Sequence, residues 1–183
     1  MKKLKFVNGQ MFEYEILKLV DFYDPILRQP THWVDVTDKN VAYAALSLME
    51  TLNKLNGLGL SANQVGLPYR MFALNVGKQI WCLVNPVIVR VSETKTKFQE
   101  GCLSYPGLYV TVGRPDSVVL QYDIVGGERK QQEFNGLTAT CVLHEMDHLD
   151  GVVYTDRVPK VKLMEAKRKI KTNLKKMKKL AAA

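Results

Sequence analysis

The stretch "TCVLHEMDHLDG", residues 140–151, constrains the fold more than any other part of the chain. Residues from about 137 to 149 read as a helix, entered after Asn135-Gly136 and left at Gly151. Most of its positions are apolar, yet it carries His144, Glu145 and His148. Ionisable groups inside a protein must be paired or must bind a metal. The expected architecture is antiparallel or mixed sheets packed around a central helix that holds an "HExxH" pattern.

Helical geometry says what that pattern can do. Positions four apart differ by ~40° around the axis and ~6 Å along it. His144 and His148 can hold one metal ion between them, on the face that also carries Leu137 and Cys141. Glu145 lies ~100° further round, close enough to act as a base beside the ion without coordinating it. The plain alternative is a helix with one polar, partly exposed side.

A catalytic site of this kind takes three protein ligands and keeps one position open. In zincin-type patterns the third ligand lies downstream as Glu or His. Downstream here there is no histidine, and the one glutamate is Glu165, inside a basic tail. Upstream, the remaining histidine is His32. Cys141 starts one turn before the pair, ~10 Å along the axis from His148, and reads as a small wall residue. Cys82, in "IWCLVNP", reads as core. Cys102 remains, in "QEGCLSYPG", a turn or irregular edge segment whose thiolate can point into a site. It reads equally as a loop cysteine with no role. The glycine-rich "NGLGLSANQVGLP", residues 56–68, has Gln64 as its main polar group and otherwise reads as a turn. It matches neither a phosphate-binding loop nor a dinucleotide fingerprint.

The rest of the chain supplies the frame. Val41, Ala44, Ala45, Leu48, Leu52 and Leu55 repeat at helical spacing, predicting a helix over 38–55 capped by Thr37 or Asp38. "RMFALNV", "IWCLVNPVIVRV" and "SVVLQYDIV" read as strands, with Gly126-Gly127 turning the last into "ERKQQEF". A third helix is expected over about 160–179, with Leu163, Ile170, Leu174 and Met177 as a narrow apolar stripe. The class is α+β, with antiparallel or mixed sheets and a C-terminal basic helix. Residues 1–160 form the expected catalytic unit and 161–183 a tail of the same domain.

Charge and cysteine usage exclude several classes. Residues 160–180 hold ten Lys/Arg and one acid, a net +9, whereas the remainder holds sixteen basic and seventeen acidic residues, a net −1. Any affinity for nucleic acid therefore belongs to the tail. Three cysteines make no disulfide framework. No apolar run approaches the ~18 residues of a membrane span. The lysine-led N-terminus breaks at Asn8, Gly9 and Gln10 without a signal-peptide core. A cytoplasmic protein with no membrane association is expected.

Taken together and in this order, "GLGLSANQ", "EGCLS" and "HEMDH" resemble the peptide deformylases, which remove the N-formyl group from newly made polypeptides and release formate. The resemblance runs over about residues 15–160 and includes "DPILRQPTHWV". It implies Cys102, His144 and His148 as metal ligands and Glu145 as acid and base. Gln64 and the backbone N–H of Leu103 would hydrogen-bond the substrate oxygen. Gly57, Leu58 and Gly59 would pair with the peptide backbone, and Leu58, Leu137 and Cys141 would line the methionine pocket. One divalent ion is implied, Fe²⁺ natively, with Zn²⁺, Ni²⁺ or Co²⁺ able to substitute. N-formylmethionyl peptides are the implied partner, and the tail suggests ribosomal RNA as a second. The chain departs from the family pattern at Leu143, where many members have Gln, and at Tyr109, near which many have an arginine; its next arginine is Arg114. Two rival readings are an "HExxH" peptidase cutting internal bonds and a basic nucleic-acid-binding module with an inactive metal site. The first leaves "EGCLS" without a purpose, and the second rests on the tail alone.

Overall fold

The computed structural model describes residues 2–7, 10–77 and 79–181 of the 183-residue chain, without the side chains of 6, 7, 10 and 172–181. In chain order the elements are β1 (Lys3–Val7), β2 (Gln10–Tyr14), α1 (Lys39–Leu55), β3 (Gly59–Ser61), β4 (Met71–Val76) and β5 (Gln79–Val91). There follow β6 (Lys95–Cys102), β7 (Tyr105–Pro115), β8 (Ser117–Asp123), β9 (Arg129–Asn135), α2 (Gly136–Leu149) and α3 (Lys160–Ala181). A five-stranded sheet runs in the order β3-β4-β5-β8-β9, and β1-β2 and β6-β7 form two separate ribbons. These strands pair antiparallel throughout, as an α+β protein with segregated helices requires.

The five-stranded sheet separates two cores. Successive side chains of a strand point to opposite faces. On β4, Met71 and Ala73 join Val41, Leu48 and Leu52 of α1, whereas Phe72 and Leu74 join Val142, Met146 and Leu149 of α2. Ten of the fourteen α2 residues are buried, so the helix is central.

Local signals act as expected at α1. The Asp38 side chain caps its first turn by accepting from the Asn40 N–H at 2.8 Å. Such a cap is worth ~1 kcal/mol. The far end closes on Asn56 in the left-handed region at φ 51°, which leaves Gly57 as the next residue. Within the helix, Ser47 and Thr51 accept from the backbone of Glu15 and Leu17 at 3.0 and 2.9 Å and so tie down the segment after β2.

Several elements differ from the expectations: β3 forms inside the glycine-rich segment read as a turn, and β6 and β7 were not among the expected strands. The β1-β2 ribbon was not foreseen, because its short strands carry no strong periodicity. The "EGCLS" segment, read as a turn or irregular edge, is the irregular end of β6 and the turn that follows it. Cys102 ends β6, and the ladder slips register between Glu100 and Cys102 before the chain turns into β7. The tail helix begins where its pattern predicts. Leu163, Ala166 and Ile170 pack on Leu108, Val110 and Val112 of β7 and on Tyr154. Leu174 and Met177 lie outside the described side chains. Among the described residues no helix is long and apolar enough to cross a membrane.

Candidate metal centre

His144 and His148 leave α2 from one face, their ring centroids 5.0 Å apart. Cys102 reaches them from the end of β6, and one ligand atom from each of the three lies within 4.8 Å of the others. The Cys102 Sγ is 3.2 Å from His148 Nε2. One thiolate and two imidazoles form a donor set suited to a divalent transition-metal ion.

A buried ion-pair chain orients His144. Its Nδ1 is 2.8 Å from Glu100 Oε2, so the carboxylate accepts the Nδ1 proton and fixes the orientation of the ring. Arg114 in turn donates to Glu100 at 2.9 Å and to Asp147 at 2.8 Å. Asp147 also receives Arg157, nearer the surface. Burial alone would raise the Glu100 pKa, but the hydrogen bonds from Arg114 and His144 hold it below the usual range.

The protonation pattern fits a cation at this point. Burial opposes charge on His144, yet Cys102 and Glu100 outweigh it and hold its pKa up to about 10. The same negative pull that binds a proton there favours a metal ion in its place. Burial, with the positive charge on His144, keeps His148 well below its ordinary value and therefore neutral, the state in which imidazole is a ligand. Its Nδ1 and the Glu145 Oε2 are buried without a hydrogen-bond partner among the described residues. Burial pushes Glu145 up to about 7. An acid or base works best with a pKa near the working pH.

The 3-10 turn Ala62–Val65 brings in Gln64. Its Oε1 accepts from the Ser61 N–H at 2.9 Å, which fixes the amide. Its Nε2 is thereby aimed at Cys102 Sγ, 3.2 Å away, and at Ser104 Oγ, 3.0 Å away. A cleft of about 480 Å³ opens over the cluster, with Gly57, Leu58 and Gly59 on one side, Leu137 and Cys141 on the α2 side, and Leu103 beside them. Gly59 has no room for a side chain. A Cβ there would lie 2.8 Å from both Cys141 Sγ and Glu145 Cδ.

The other candidate ligands stay apart. His32 bridges Tyr69 in an exposed segment, and exposed Glu165 faces Lys162 on α3. Cys82 packs against the α1 core, and burial raises its thiol to about 12.

The polypeptide deformylase family matches the chain over residues 16–164. The chain belongs to that family. Peptide deformylase of Rhizobium meliloti is 38% identical over 152 residues, spanning 80% of this chain and 87% of that one. The Agrobacterium fabrum peptide deformylase is 39% identical over 154 residues, 80% of this chain and 89% of the relative. The crystal structure of Ehrlichia chaffeensis peptide deformylase superposes with a TM-score of 0.80 at 31% identity, covering 88% of this chain and 98% of that one. The activity is thus peptide deformylation, hydrolysis of the N-terminal formyl group of nascent peptides, and the Cys102, His144 and His148 cluster suits the divalent metal of a deformylase.

Sequence reasoning missed the supports of this centre: Glu100, Ser104, Arg114 and Asp147. Glu100 and Ser104 flank Cys102 inside "EGCLS", a signal available beforehand. Nothing local marks Arg114, which comes to Glu100 only through the β6-β7 ribbon.

Proposed function

We propose that the chain deformylates N-formylmethionyl peptides at an ion held by Cys102, His144 and His148, with Glu145 as acid and base. The reading rests on one observation: three ligand atoms converge beside a buried carboxylate oxygen that lacks a partner among the described residues. When bound, the divalent cation supplies Lewis acidity, polarising the formyl carbonyl and acidifying a water. Glu145 takes the proton of the attacking water and passes it to the departing amine, so that formamide and water become formate and a free N-terminus. The Gln64 Nε2 and the Leu103 N–H donate to the oxygen on which negative charge develops. Loss of one such donor typically costs ~3–4 kcal/mol in the barrier. The Gly57–Gly59 backbone aligns the peptide, and Leu58, Leu137 and Cys141 receive the methionine side chain.

Fe²⁺ is the native ion in this proposal, and the accessible thiolate makes the centre sensitive to oxidation. Residues 1–160 act as the catalytic unit in the cytoplasm, and the basic helix of residues 161–183 docks on ribosomal RNA near emerging chains.

Anaerobic purification with metal analysis, then formate release from formyl-Met-Ala-Ser beside casein cleavage, tests the reading. One ion per chain and formate alone are expected. Casein cleavage would favour the peptidase. Cys102→Ala should empty or rearrange the centre; unchanged stoichiometric metal in that variant would remove Cys102 from it.

A further inference from the structure

We infer that Ser61 and Asn63 are positioning residues, a buried brace that holds the Gln64 amide in register with the helix end that carries His148. The inference rests on the deformylase reading of the cleft and adds to it the groups that keep its oxyanion donor aligned.

The brace begins with the hydrogen-bonding capacity of the Gln64 amide. Its oxygen has two lone pairs and its nitrogen two N–H groups. The Ser61 N–H donates to Oε1 at 2.9 Å, and the Ser61 hydroxyl reaches the same oxygen at 2.9 Å. Nε2 donates to Cys102 Sγ at 3.2 Å and to Ser104 Oγ at 3.0 Å. All four positions are thus engaged. Gln64 is 1% exposed, so a partner lost here leaves a buried polar group unpaired. An inverted amide would set its own N–H groups against the Ser61 N–H, which can only donate. The oxygen therefore stays at Ser61, and Nε2 stays toward Cys102.

Asn63 extends the brace to α2. Its Nδ2 donates to the His148 carbonyl at 2.6 Å, and its Oδ1 accepts from the Ser61 hydroxyl at 2.9 Å. That hydroxyl has one proton and faces two acceptors, Asn63 Oδ1 and Gln64 Oε1, so it ties the two amides together. Ser61, Asn63 and His148 are all completely buried. His148 is one of the three converging ligands, and Gln64 is the proposed donor to the oxygen on which charge develops. A path of carbonyl, amide, hydroxyl and amide thus links ligand to donor. Misplacing such groups by about 1 Å can cost about a hundredfold in rate.

The test is a double-mutant cycle on kcat for formate release from formyl-Met-Ala-Ser, expressed per bound metal ion. Gln64→Ala should lower kcat by about 10²–10³, the usual cost of losing an oxyanion donor. Ser61→Ala and Asn63→Ala should each lower kcat by about three- to thirtyfold. Metal content and KM should hardly change, because the oxyanion exists only in the transition state. In the Gln64→Ala background, neither substitution should lower kcat further. Additive losses in the cycle, or wild-type kcat in both Ser61→Ala and Asn63→Ala, would overturn the inference. So would wild-type kcat in Gln64→Ala. Absence of formate from the metal-loaded wild type would instead overturn the deformylase reading beneath it.

Discussion

Glu145 is the residue on which the proposed chemistry turns, and its surroundings separate catalysis from metal binding. It is buried beside the ligands but is not one of the three converging groups. Glu145→Ala should therefore retain stoichiometric metal and lose about 10²–10⁴ in kcat, the usual worth of a positioned proton-transfer group. Metal analysis and single-turnover formate release on one preparation check both halves; turnover at the wild-type rate would exclude it. Gly59 makes a second, independent test. Its missing side chain is the space in which the Glu145 carboxyl sits. Gly59→Ala should displace that carboxyl and lower activity by at least about tenfold, with metal content unchanged. Full activity in Gly59→Ala would mean that the carboxyl position is not critical.

At the scale of elements, the decisive junction is between the β6-β7 ribbon and α2. Arg114 reaches from β7 to Glu100 on β6 and Asp147 on α2, and all three side chains are almost fully buried. Taking charges out of water is costly, and removing one partner strands the others. Arg114→Met should destabilise the fold by about 3–5 kcal/mol, read as a lower urea midpoint. Metal affinity should also weaken, because Glu100 then loses the group that fixes it against His144. An unchanged midpoint would show that the pairs are replaced without cost. The same junction explains a limit of reading by segment. "EGCLS" alone reads as a turn or irregular edge segment; its pairing with β7 shows which strand end delivers Cys102.

For the whole molecule, charge is divided between a neutral body and a basic helix. The apolar residues Leu163, Ala166 and Ile170 of that helix are spent on β7, which leaves Lys167, Lys169 and Lys171 exposed. Reversing these three to Glu should abolish ribosome co-sedimentation and its steep salt dependence, while formate release from a free tripeptide persists. Co-sedimentation unaffected by the reversal would assign the tail to packing alone. The sequence by itself determined what depends on neighbours in the chain. All three helices were legible from local pattern, α1 also from its capping Asp38, and the His144–Glu145–His148 arrangement follows from spacing on one helix. Spacing could not choose between Cys102 and a ligand elsewhere; resemblance to a family supplied that expectation. Only the tertiary structure decided which groups separated along the chain share a site, because they meet through strand pairing and sheet packing. Cys102 lies 46 positions from His148, and Arg114 lies 33 from Asp147. Such contacts form when burial of the two cores on either side of β4 sets the register, and no local pattern encodes that register alone.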